Sequence, residues 1–151
     1  MIRFATAADM GALAALRRAW VEENAGARVV DDGFEDAFTA WYAAEQQQRV
    51  TWIAEVADAA IGMLNMLVFS RMPRPGRASN HWGYLANFYV LGEYRGIGIG
   101  TELLTACTTY ADDHGFVRIV LSPSERSVPL YQRDGFGPAT ALMLRPGPPE
   151  V

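Results

Sequence analysis

Gly96, Gly98 and Gly100 alternate directly ahead of an apolar helical run, and Arg95 precedes them. A helix start leaves about four backbone N–H groups without partners. The helix dipole adds partial positive charge at the same end. With no side chains at the three glycines, another molecule's oxygens can approach that backbone. Arg95 adds a planar cationic fork. The chemistry these residues favour is anion binding, a pyrophosphate in particular. The same turn also serves as a tight strand-to-helix connection with no ligand. A dinucleotide-binding fingerprint is excluded, because position 101 is Thr and position 103 is Leu where that spacing needs glycine.

A second constellation follows, Pro129-Leu130-Tyr131-Gln132-Arg133-Asp134-Gly135-Phe136. Its phenol, with an ordinary pKa of about 10, makes Tyr131 a candidate proton donor, or else a core aromatic on an amphipathic helix face. Other chemistries are closed. All 13 basic residues are Arg, so a Schiff-base lysine and a Walker-A loop are both excluded. Cys107, His81 and His114 are too few for a zinc site, and no metal is expected. Cys107 reads as a small apolar filler, and His114 as a helix C-terminal residue ahead of a Gly115 cap.

The elements that must hold these groups follow from period and punctuation. Strands are expected over 2–4, 49–57, 61–70, 82–91, 116–121 and 139–144. Helices are expected after the Thr6 cap with Asp9, and over 34–48, 98–114 and 124–133. A tight turn at 58–60 makes the second and third strands a hairpin, and 71–80 is a loop. Three consecutive strands followed by a β-α-β unit predict an α/β (α+β) fold with a mixed, mostly antiparallel sheet. The chain has 151 residues, half of them hydrophobic, enough for one cored domain. That domain is expected over 1–146, with a flexible tail over 147–151. A formal charge of -4 argues against a nucleic-acid partner. No apolar run suits a signal peptide or a membrane span, so the expected location is the cytoplasm.

The spacing Arg95-x-x-Gly98-x-Gly100 after a strand ending Tyr89-Val90, together with Leu130-Tyr131-x-x-x-Gly135-Phe136, resembles the GNAT superfamily of N-acetyltransferases. The order of all elements resembles that fold too, which implies six or seven strands, about four helices and a sheet splayed near Val90. The resemblance implies acetyl-CoA as cosubstrate. The backbone at Phe88, Tyr89 and Val90 would pair with the pantetheine arm as an added strand. Arg95, Gly96, Ile97, Gly98, Gly100 and Thr101 would hold the pyrophosphate through main-chain N–H groups. Ser124 and Ser127 would line the far side of the arm, where the family often has Asn and Ala. Tyr131 would be the general acid, and the Val90 N–H would receive the carbonyl oxygen's developing charge.

The acceptor implied is a primary amine of a small molecule or peptide, attacking the thioester directly. The strand over 83–90 holds no carboxylate, so the base stays open among His81, Tyr84, Asn87, Glu35, Asp36 and water. Glu22, Glu23, Asp31, Asp32, Glu35 and Asp36, against Arg28, either attract a cationic amine or form a solvated face. A non-catalytic acyl-CoA-binding sensor or partner module is the alternative function. A homodimer is open as well.

Overall fold

Ala57 and Asp58 both adopt positive φ, 48° and 63°. That is what a two-residue hairpin needs to match the twist of its strands. In the computed structural model, which describes residues 1–150, this turn joins β2 (Arg49–Val56) to β3 (Ala59–Ser70). It lies one residue earlier than the expected turn. With β1 (Ile2–Phe4), β4 (His81–Val90) and β5 (Ile119–Val120), these strands form one sheet in the order β1-β2-β3-β4-β5. Neighbours are antiparallel, except that β4 and β5 run parallel.

Residues alternate across the sheet with a period of two, and helices cover both faces. Trp52, Ala54, Leu64 and Met66 face α3 (Ile99–Asp113) and α4 (Val128–Arg133), with Leu103, Leu104, Cys107 and Tyr131. Ile53 and Met63 face the other way, where Leu13 and Leu16 of α1 (Met10–Ala25) and Tyr42 of α2 (Phe34–Glu45) meet Tyr89. Each fully buried Leu or Ile contributes roughly 1.5–3 kcal/mol.

The expected Thr6–Asp9 cap is present. The Asp9 carboxylate accepts the Thr6 N–H at 2.7 Å, but the pair opens a 3-10 turn, Ala7–Asp9, before α1 begins. The second helix ends as α at Glu45, and Gln46–Gln48 continue as 3-10.

Three strand expectations are corrected. Among the described residues the sheet has five strands, not six or seven. Residues 139–144 form no strand, because Gly137 and Pro138 break the chain and Leu142 N–H turns back to the Ala139 carbonyl at 3.2 Å. Of the run 116–121, only Ile119–Val120 pair as β5. Of the expected tail, residues 147–150 have no regular structure and are exposed, and Val151 lies outside the described residues. Among the described residues no helix is long and apolar enough to cross a membrane.

Candidate active site

The parallel pairing of β4 with β5 is short. Gly83 pairs with Ile119 and Tyr84 with Val120, and beyond them the strands part. Farther along β4 the register with β3 slips, from Asn65↔Ala86 to Met63↔Tyr89. Two residues, Asn87 and Phe88, therefore face Leu64 alone, which is a β-bulge. Asn87 takes φ 52°, a region asparagine tolerates better than most residues. Beyond the bulge, Leu91 N–H donates to the Ile61 carbonyl at 2.9 Å. Main-chain groups alternate sides along a strand, so those of Val90 point away from β3, into the opening beside β4.

The opening is a cleft of roughly 860 Å³, within the usual range of ligand sites. At its mouth the chain leaves β4 through a 3-10 turn, Gly92–Tyr94, and enters the glycine loop. Gly96 and Gly98 sit at φ 78° and 97°. A Cβ at either would meet nothing within 4 Å, so glycine is needed there for backbone conformation and not for room. Gly98 caps α3 without any side-chain hydrogen bond, and the first helical bond runs from Glu102 N–H to the Gly98 carbonyl at 3.0 Å. The amides of Ile99, Gly100 and Thr101 precede that bond and have no carbonyl of the helix to pair with. At Gly100 a Cβ would come within 3.6 Å of Phe88 Cζ. The Ile97 side chain is exposed, so only its backbone belongs to the loop.

Tyr131 lines the cleft from α4. Its ring packs edge-on against Phe136, with centroids 5.6 Å apart, and the Phe136 N–H returns to the Tyr131 carbonyl at 3.1 Å. That return needs Gly135 at φ 91°, which is why a Gly-Phe pair follows the tyrosine. Burial pushes the phenol up to about 12, with a smaller push from Cys107, so it keeps its proton at neutral pH. Ser124 and Ser127 line the cleft but serve each other: Ser124 Oγ donates to Ser127 Oγ at 3.0 Å, and Ser127 Oγ to the Ser124 carbonyl at 2.9 Å.

The structure thus brings Phe88, Tyr89, Val90, Arg95, Gly96, Gly98, Gly100, Thr101, Ser124, Ser127 and Tyr131 to one cleft. The Arg95 side chain is not the free fork expected from sequence. Its Nη1 and Nη2 reach Glu23 at 2.7 and 2.9 Å, and its Nε donates to the Val90 carbonyl at 2.8 Å. Of the candidate bases only Asn87 lines the cleft. His81 packs on Phe116 at the closed end of β4, and the Tyr84 hydroxyl pairs with Ser122 Oγ at 3.3 Å. Glu35 is bound to Arg18, and Asp36 lies off the cleft.

The cleft also holds residues that the sequence does not place there, Glu23 being legible only as one of an acidic group. Glu23 stands with Trp20 and Asn24 at i, i+3 and i+4 spacing on α1, a one-face pattern that is legible in retrospect. Arg126 and Arg133 bracket Tyr131 and supply cations to the cleft in place of Arg95.

The sequence profile of the acetyltransferase (GNAT) family matches residues 13–136, most of the chain. The chain belongs to the GNAT family. Over 76 residues it is 29% identical to the glucosamine 6-phosphate N-acetyltransferase of Trypanosoma brucei brucei, covering 50% of each chain. The chain thus spans about half the length of that relative. A predicted acetyltransferase with acetyl-CoA from Clostridium acetobutylicum superposes with TM-score 0.76 at 22% identity, over 97% of this GNAT chain and 95% of that one. A GCN5-related N-acetyltransferase from Ralstonia eutropha JMP134 does so with TM-score 0.73 at 24% identity, over 97% of each. These two structural likenesses bear on the fold alone.

Proposed function

We propose that the protein transfers the acetyl group of acetyl-CoA to a primary amine of a small molecule or peptide by direct attack on the thioester. One observation carries the reading: the bulged, unpaired edge of β4 leads from the uncapped amides of α3 to the buried phenol of Tyr131 within a single cleft. The fit to the cosubstrate rests on this chain's own groups. Space is open at Gly96 and Gly98, the first amides of α3 are free of any side-chain cap, and Arg126 and Arg133 stand on the cleft wall.

When bound, acetyl-CoA supplies the thioester carbonyl and a thiolate leaving group. The α3 amides would hold its diphosphate by charge and hydrogen bonding. The Val90 N–H would pair with the arm or meet charge developing on the carbonyl oxygen, a type of contact whose loss costs about 100- to 1,000-fold. Tyr131, protonated across the physiological range, would give its proton to the thiolate. No carboxylate other than Glu23 lines the cleft among the described residues, and Glu23 is committed to Arg95. The amine therefore reaches the site neutral or loses its proton through water ordered at Asn87. Holding the partners together supplies much of the rate.

That same lack of an uncommitted carboxylate favours a second reading, a non-catalytic acyl-CoA-binding module. One experiment separates the two. Thermal shift with acetyl-CoA and CoA tests binding, and thiol release over polyamines, aminosugars, amino acids and short peptides tests turnover. An aminosugar belongs in the panel because the Trypanosoma relative is a glucosamine 6-phosphate N-acetyltransferase. Binding with release supports the enzyme, and binding without release against any amine supports the module. No binding at all overturns both.

A further inference from the structure

Glu23 lies 72 residues before Arg95, on a different element, yet it takes up both ends of that guanidinium. Oε1 accepts Nη1 at 2.7 Å and Oε2 accepts Nη2 at 2.9 Å. The same Oε2 accepts the Tyr89 hydroxyl at 2.7 Å. The third face of the guanidinium is also used, since Nε donates to the Val90 carbonyl at 2.8 Å. The plane is held from below as well, with Arg95 Cζ 5.3 Å from the Tyr89 ring centre. Trp20 stacks on Tyr89 at 5.7 Å and 15°, and Arg17 lies 5.0 Å over Trp20. Helix α1 therefore grips the first residue of the glycine loop and the last residues of β4 at one point.

We infer that Glu23 is a positioning residue for the diphosphate loop, acting through Arg95 and not on the phosphates or the amine. The inference rests on the acyltransferase reading above. Two consequences follow from the geometry. Three of the five guanidinium N–H donors are taken, and the cation has a bidentate carboxylate partner. The loop then reads a diphosphate through its amides. The Val90 carbonyl, which points into the cleft, already accepts Arg95 Nε, so an arm laid along β4 meets an unpaired Val90 N–H but shares the carbonyl with Arg95.

The test measures CoA affinity by calorimetry at two salt concentrations, with KM for acetyl-CoA and kcat alongside, for E23Q, E23D, R95Q and the E23Q/R95Q double variant. Loss of one charge-assisted hydrogen bond corresponds to about a tenfold change. E23Q and R95Q should each weaken CoA and raise KM by about that factor, with kcat much less affected. The double variant should be no worse than either single one, because both break the same unit. The salt dependence of the double variant should stay that of the wild type, since it removes one charge of each sign. E23D, which keeps the charge on a shorter stem, should fall between E23Q and the wild type. Thermal melts accompany each variant, and E23D keeps the comparison available if E23Q unfolds.

Tighter CoA binding by E23Q would overturn the inference, because it would mean Arg95 had been released onto the phosphates. So would additive losses in the double variant, or a salt dependence there flatter than that of the wild type. Wild-type protein that binds no CoA would instead remove the acyltransferase reading, and this inference with it.

Discussion

Phe88 meets Tyr131 edge to face, with ring centroids 6.1 Å apart and planes inclined at 64°. The bulge of β4 and the helix bearing the phenol are therefore in direct contact across the cleft. Edge-to-face pairs add about 0.5–1.5 kcal/mol beyond area burial. The residue that displaces the β4 backbone thus also sets where the phenol sits. Truncation of Phe88 to Ala should lower kcat even though its side chain transfers no proton. Steady-state kinetics against the Tyr131→Phe variant would show whether the two effects overlap.

Tyr131→Phe removes the proton donor and leaves the ring packing. Turnover should fall by about 100- to 10,000-fold, with little change in acetyl-CoA affinity. Burial raises this phenol to about 12, so its acid form persists well above neutrality. An alkaline fall in kcat belonging to Tyr131 should therefore lie above the free phenol's value of about 10. A fall in kcat centred near neutrality that vanishes in Tyr131→Phe would contradict this assignment.

At Gly98 the two requirements, conformation and charge, can be separated. Gly98→Ala keeps the site neutral but strains a backbone at φ 97°, a region costing roughly 1–2 kcal/mol for a residue with a Cβ. Gly98→Asp adds a carboxylate at the α3 mouth. Calorimetry with CoA should give weakened binding for Ala and none for Asp. Equal affinities for the two variants would mean that no anion approaches these amides.

The one thiol of the chain should not interfere with the release assay. Cys107 is fully buried, its Sγ is 3.8 Å from Met66 Sδ, and burial together with the Asp134 charge pushes it up to about 12. A thiol needs its thiolate form and access in order to react. Titration with an aromatic disulfide should therefore find no reactive thiol in native protein and one after denaturation. Rapid native labelling would show that the core over α3 opens readily.

Acid stability should depend on Asp9. The Arg3 guanidinium, with the Thr6 amide, holds its carboxyl well below the usual range, and Arg3 also binds Glu55. A depressed native value means the contribution is present above the unfolded pKa of about 4 and is lost as pH falls through the native value. Asp9→Asn should cost on the order of 1–3 kcal/mol at pH 7. Melts from pH 7 to pH 2 should give a smaller acid-induced loss in the variant than in the wild type.

Much of the fold was legible along the chain because its cues are local. The 49–57 and 61–70 expectations held to within a residue or two, since alternation and the Ala57-Asp58 turn are properties of neighbours. The 139–144 expectation failed because apolar, strand-prone residues do not form a strand unless an edge receives them. Here Gly137, Pro138 and a turn intervene. The short β5 has the same origin, as its length depends on how long β4 stays beside it.

At the site, glycine spacing and the Gly-Phe pair could be read directly, because positive φ at Gly96, Gly98 and Gly135 is a demand of the local backbone that few other residues meet. The partner of Arg95 could not. Nothing in the order of residues says that a carboxylate 72 positions earlier would neutralise the cation beside the glycine loop. Nor does it say that Asn87, and not His81, Tyr84 or Glu35, would face the cleft. Those outcomes belong to long-range packing: where α1 crosses the end of β4, and where β4 and β5 separate. Side-chain direction at such crossings is settled by the sum of many weak contacts, which no short window of sequence contains.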